Sequence, residues 1–264
     1  MLKRLDFYSG ESLAELERTA PQLNKLFLGQ SPDFGRVLKY PLDRRWIQYF
    51  PDGRVEGGVL AAETVIQSIP CARGAEIHLY ENGDLRKLSL WDKQIIRGIP
   101  CARGDVWLYP NGNLSQVKLA VDKVMQGTSC SAGDLWFHEN GKLEQATLSA
   151  EQNIHGIVCA KGSGVWFSKK GILSQATLAS SQKIFGVPCG EGSTVVFHPN
   201  GRLRSAHFES DSVLNGISCK QGSSIEFYAN GQISYATLSS NQTIQGVSFS
   251  AGDTVHFKEN GDLA

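Results

Sequence analysis

An all-β repeat protein is the fold class this sequence predicts, and three observations carry the prediction. The first is a recurring Asn-Gly-x-Leu signature. It stands at Asn82-Gly83-Asp84-Leu85 and again at Asn111, Asn140, Asn200 and Asn260. Asn230 carries Ile233 in place of leucine, Lys170 replaces the asparagine of one copy, and Asp52-Gly53-Arg54-Val55 opens the series at the same spacing of 29 or 30 residues. The second is a cysteine register: Cys71, Cys101, Cys130, Cys159, Cys189 and Cys219 each follow their signature at one fixed distance, and Phe249 fills the last place. The third is that each unit alternates short apolar patterns with turn residues, the mark of half-buried strands joined by tight corners.

Three strands per unit are expected. Val165-Trp166-Phe167 gives the first, with Val106-Trp107-Leu108 and Ile225-Glu226-Phe227 as counterparts. Leu173-Ser174-Gln175-Ala176-Thr177-Leu178 gives the second, and Ile184-Phe185-Gly186-Val187-Pro188-Cys189 the third. Between them lie Asn-Gly, a polar corner such as Ala179-Ser180-Ser181-Gln182, and Cys-x-x-Gly, each a turn signal with a mechanism. Two architectures fit. In a three-strand-per-coil β-solenoid, equal residues stack one strand spacing apart, about 4.8 Å. In an antiparallel β-meander, Asn-Gly closes a type I′ hairpin. An odd number of strands would invert every second copy of a meander, so the parity of three favours the solenoid. Pro70, Pro100 and Pro188 argue the other way, since each removes a donor from its strand.

Residues 1–44 differ in composition. Ser12-Leu13-Ala14-Glu15 is a capping-box pattern that opens a short helix, and Pro21 suits the first turn of a second. Leu13, Leu16, Leu23, Leu26 and Phe27 supply an apolar side. The expectation is an N-terminal helical cap over 1–44 and a β-repeat domain of about seven units over 45–264.

With 26 basic and 26 acidic residues the formal net charge is zero, which removes the basic excess that binding to nucleic acid requires. No apolar run is long enough for a membrane helix. Met1-Leu2-Lys3-Arg4-Leu5 has no apolar stretch behind it and does not read as a secretory signal, so a cytoplasmic location is expected.

The stretch from Gly164 to Leu173, Gly-Val-Trp-Phe followed by Gly-x-Leu, resembles the variant MORN repeats of bacterial proteins, whose sense is an aromatic residue followed shortly by Asn-Gly-x-Leu. The resemblance covers about half of each unit. It implies a hairpin ribbon that serves as a contact scaffold for proteins or membranes rather than as an enzyme, and it carries no catalytic residues. The Cys register and the third strand lie outside the motif.

The candidate binding residues are Trp107, Trp136 and Trp166, expected to face outward from the first strand, with Gln116, Gln145 and Gln175 sharing one position across the Asn-Gly corner in the same three copies. An aromatic row with amide partners suits a polysaccharide or an extended peptide; the same row could equally serve the sheet alone, as a stabilising ladder. The six cysteines read as a ladder of buried thiols acting as small hydrophobes, not as disulfides. Neither a metal site nor a cofactor is expected: Cys-x-x-Cys does not occur, and His78, His138, His198 and His256, all read as outward, are scattered over two columns of the repeat. No catalytic residues are assigned, because no copy adds a nucleophile with a base or an extra carboxylate pair.

The expected function is a non-enzymatic repeat scaffold that binds a protein or a polysaccharide along one outer face. The first alternative is a polysaccharide-active β-helix enzyme, using the acidity of the corner column Asp92, Asp122, Glu151 and Asp211, which Ser181 and Asn241 interrupt. The second is a self-assembly module that pairs end to end into a homo-oligomer.

Overall fold

The structure, a computed structural model, describes residues 40–264. The chain divides into two compact units, Met1–Leu88 and Ser89–Ala264, a division that falls inside the repeat array. The helical cap expected over 1–44 lies, up to residue 39, outside the described residues.

In the described part of the first unit, Arg44–Trp46 forms a 3₁₀ turn. The Asp43 carboxylate caps it, accepting from the Arg45 backbone N–H and guanidinium, and these bonds hold its pKa down at about 2. Val55–Val59 pairs antiparallel with Glu76–Leu79, and Thr64–Ile66 pairs with Ile69–Cys71 in a hairpin of its own.

The second unit holds most of the repeats. Each complete copy contains four strands, not three. In the copy around Trp166 these are Gln152–Ile154, Ile157–Cys159, Gly164–Phe167 and Leu173–Thr177. The last two join a long antiparallel sheet, in which Leu143–Thr147 pairs with Gly164–Phe167, that strand with Leu173–Thr177, and that in turn with Thr194–Phe197. The first two form a short hairpin with each other, and beyond that only the Cys159–Leu178 bridge links them to the neighbouring sheet strand.

The three-strand coil is therefore corrected. The expected third strand is two strands with a turn between them. Phe185-Gly186, read as part of one run, is that turn, and both residues have positive φ (48° and 91°). The same holds at Gln126-Gly127 (50° and 84°) and His155-Gly156 (53° and 86°). Positive φ at both central residues is the type I′ geometry that lets flanking strands twist together. The Asn-Gly corner, where I′ was expected, is built differently. Its glycine is left-handed (Gly141, φ 80°) and its asparagine is not. Gly141 N–H donates to the His138 carbonyl, and the pairing register shifts beside it, as in a type I turn with a glycine bulge. Parity then resolves itself: two strands per copy enter the sheet, so every copy keeps the same orientation.

Alternation sorts the residues of the sheet strands. Val165, Phe167, Leu173, Ala176 and Leu178 are buried, as are Ile154, Ile157 and Cys159 of the short hairpin. The core thus lies between one face of the sheet and the row of short hairpins. At their ends the layers are tied by backbone contacts such as the Cys159–Leu178 bridge and the Ala160 N–H to Thr177 carbonyl bond of 2.9 Å. All six cysteines are free and buried, and each of the six thiols is pushed up to about 11 by burial. They behave as small core hydrophobes that stay protonated.

The short hairpins are stitched to one another by side chains. Gln152 Oε1 accepts from the Ser129 N–H, Gln182 Oε1 from Val158 and Gln242 Oε1 from Ser218, at 2.8 to 3.0 Å. Prolines fall at this same donor position, which resolves the objection they raised. Pro70, Pro100 and Pro188 have no N–H to offer, and the glutamine column of the following copy carries Lys123 after Pro100 and Ser212 after Pro188, while Gln94 follows Pro70. Lys123 Nζ donates to the Gly98 carbonyl at 3.1 Å.

Candidate functional surface

The strand register brings the six sequence-selected residues into one line. Trp107 pairs with Gln116, Gln116 with Trp136, Trp136 with Gln145, Gln145 with Trp166 and Trp166 with Gln175. All six are half-buried and alternate with buried neighbours, so they stand on the face of the sheet turned away from the core. The row differs from the expected stack in one respect. Successive indoles are separated by an intervening glutamine strand, so they stand two strand spacings apart, about 10 Å, rather than one. The row continues through Val196, Ser205, Glu226, Tyr235 and His256. Tyr235 and His256 end it with a tilted ring contact, centroids 5.5 Å apart.

A second outward row runs beside the first. It pairs Lys118 with Asp134, Thr147 with Gly164 and Thr177 with Thr194. Gly164 was not singled out from the sequence as a site residue. The signal that could have found it is a break in its column, where the other copies of this unit carry Asp105, Asp134, Thr194, Ser224 and Thr254. A methyl group placed on Gly164 would meet Trp166 Cη2 at 2.5 Å and Cζ3 at 2.8 Å. The six-membered ring of Trp166 therefore leans along its own strand and covers Gly164.

The remaining polar columns are occupied by structural bonds. Asn111, Asn140, Asn200 and Asn230 each donate through Nδ2 to a backbone carbonyl one copy further on, at 2.8 or 2.9 Å. Tyr109 and Tyr228 hydroxyls do the same to Phe137 and Phe257. His138 and His198 belong to this second ladder: each Nε2 donates at 2.8 Å, to the Phe167 and Phe227 carbonyls respectively. Their expected outward placement is corrected, since both rings are partly buried between copies. Ser168 and Lys170 stand where these two ladders would continue and extend neither of them.

Two carboxylates of the acidic corner that the enzyme alternative relied on, Asp122 and Asp211, are also engaged. Asp122 Oδ1 accepts from the Ala132 N–H at 2.8 Å, Asp211 Oδ1 from Gln221 at 2.6 Å, and Asn241 Oδ1 from Ala251 at 2.8 Å. Asparagine serves as well as aspartate there, so the column selects a hydrogen-bond acceptor that caps the next turn. A shallow cleft of about 280 Å³ lies between Phe185, Arg202, Leu214 and Phe227. Its one charged group, Arg202, donates to the Asn230 carbonyl, and the cleft holds no nucleophile with a base. Among the described residues, no three His, Cys, Asp or Glu side chains cluster as metal ligands, and no helix is long and apolar enough to cross a membrane.

No family model matches the chain, and no curated protein matches it. Among solved structures, the crystal structure of TcdB2-TccC3-Cdc42 aligns with 82% of this chain at 11% identity and a TM-score of 0.16, and the match covers 12% of the length of that chain. A likeness at that level bears on neither fold nor function.

Proposed function

We propose that this chain is a non-enzymatic repeat scaffold that binds a macromolecule, protein or polysaccharide, along the outward face of its sheet. The observation that carries the reading is the unbroken cross-strand line Trp107, Gln116, Trp136, Gln145, Trp166, Gln175. Indoles present large, stiff contact area at little entropic cost, and amides between them supply hydrogen bonds in both directions. Copies of the repeat agree closely on the inward side, where packing dictates the residue, and the three tryptophans stand on the side where packing does not. The hairpin ribbon implied by the variant MORN resemblance is in keeping with an antiparallel sheet that each copy enters as one hairpin.

The experiment is a pair of arrays, one of glycans and one of extended peptides, probed with the full chain and with the combined variant Trp107→Ala, Trp136→Ala, Trp166→Ala. The reading expects retained partners that the variant binds roughly a hundredfold more weakly, the size of three lost aromatic contacts, with thermal unfolding still cooperative. Partners that the variant binds as well as the parent chain would refute it, and turnover of a bound glycan would replace it with the enzyme alternative.

A further inference from the structure

We infer that the occupant of this face is a neutral polysaccharide, and that Trp166, lying over Gly164, is its principal stacking platform. The inference rests on the binding reading above and narrows it to one ligand class.

Charge comes first. From Trp107 to Ser205 the outward row contains no ionisable side chain, and charge enters it only at Glu226. The second row is charged beside Trp136, where Lys118 pairs with Asp134, and uncharged beside Trp166, where Thr147 pairs with Gly164 and Thr177 with Thr194. Trp166 is thus surrounded by two amides, Gln145 and Gln175, and by the hydroxyls of Thr147 and Thr177. The Glu144 carboxylate, next to Gln145 in the chain, is paired with His138 Nδ1 at 3.6 Å, so this surface offers little to a charged ligand and several partners to a polyhydroxylated, uncharged one.

Shape comes second. A pyranose ring with equatorial substituents has one flat face of C–H groups and a rim of hydroxyls. It stacks on an indole laid along the surface and places its hydroxyls within reach of neighbouring amides and threonines. The ring of Trp166 can lie down because position 164 has no side chain; the 2.5 Å approach to a methyl group at that position excludes any other residue without movement of the ring. Trp107 and Trp136 follow Asp105 and Asp134 at the equivalent position, so neither has this bare backbone beneath it. A peptide would lack its usual handhold, because the strands under the row are paired on both sides and provide no free edge for strand addition. Indoles about 10 Å apart, two strand spacings, suit a chain whose alternate rings present the same face.

The test uses the full chain and four neutral probes, cellohexaose, mannohexaose, xylohexaose and chitohexaose, with binding read by calorimetry and tryptophan fluorescence. At least one probe is expected to bind. Gly164→Thr places at 164 the residue found at Thr194, and is expected to weaken that binding roughly tenfold, about one aromatic stack. Trp166→Ala gives the same loss without altering position 164, which keeps the outcome readable if the threonine disturbs the sheet. The reciprocal change Thr254→Gly, at the same position beside His256 and outside the tryptophan stretch, leaves affinity unchanged. Binding of none of the four probes overturns the inference, and so does binding by Gly164→Thr and Trp166→Ala as tight as that of the parent chain. A peptide on the array that the triple tryptophan variant no longer binds, with no hexasaccharide bound, would sink the sugar assignment and leave the binding face intact. Failure of the triple variant to lose any partner would remove the face itself.

Discussion

The copies around Trp136 and Trp166 and the later copies around Glu226 and His256 share one backbone and one core, yet their outward rows have little in common. Leu135 and Ile225 occupy the same buried place, as do Ala146 and Ala236, and Leu148 and Leu238. On the opposite face the first pair of copies shows Trp, Gln, Trp, Gln and the second shows Glu, Tyr, His. The difference teaches that packing fixes one side of the sheet and leaves the other free. Variation on the free side is therefore where recognition can be read.

If the inward columns are truly common property, conditions that attack them should affect both stretches together. Raising the pH has the largest expected effect, because six sites add. Each buried thiol titrates near 11 in the folded chain and near 9.0 when unfolded. The folded state thus holds protons that the unfolded state releases between those values. Stability is full below about pH 9 and declines as pH rises toward 11. Denaturant titrations from pH 8 to 11 should show the midpoint falling throughout that window. A chain with all six cysteines replaced by alanine should show a much flatter profile.

Single truncations in the core come next. Leu135→Ala and Ile225→Ala are each expected to cost about 3 kcal/mol, with similar values in the two stretches. Chemical denaturation of both variants measures it, and a large disparity would break the equivalence of the copies.

Turn geometry gives a smaller effect. Gly156 has φ 86° at the second place of its I′ turn, so Gly156→Ala should cost about 1 kcal/mol in the same assay. The smallest expected change is a gain. Lys170 interrupts the asparagine ladder, and Lys170→Asn lets a side-chain amide donate to the Pro199 carbonyl, as Asn140 and Asn200 do in their own copies. A stabilisation of up to about 1 kcal/mol is expected, seen as a modest rise in the thermal midpoint.

Much of this was legible in the sequence, and the reasons for the rest are physical. The repeat, its register and the inward identity of residues such as Val165 and Cys159 follow from alternation, because burial on one face imposes a period of two. The membership of the Trp and Gln row was legible for the same reason. Its interleaved order was not, since it depends on which strands pair, and the Phe185-Gly186 corner was hidden inside an apolar run. A bulky residue at φ 48° gives no turn signal in composition, whereas His155-Gly156 and Gln245-Gly246 in the other copies do. The role of Gly164 required the position of an indole two residues away, which no local pattern encodes. The role of His138 was misjudged because its ring bonds to the Phe167 carbonyl of the next copy, an acceptor that carries no sequence signature, whereas Asp122 bonds within its own corner, to the Ala132 N–H.

Cross-linking decides most directly whether neighbours in the row are Trp with Gln or Trp with Trp. With Gln116→Cys and Trp136→Cys in one chain, directly opposed residues about 5 Å apart should form a disulfide readily under mild oxidation. Trp107→Cys with Trp136→Cys, two strand spacings apart at about 10 Å, should not close. The reverse outcome, a bridge between 107 and 136 and none between 116 and 136, would mean that equal residues sit on adjacent strands, and the interleaved surface would be wrong.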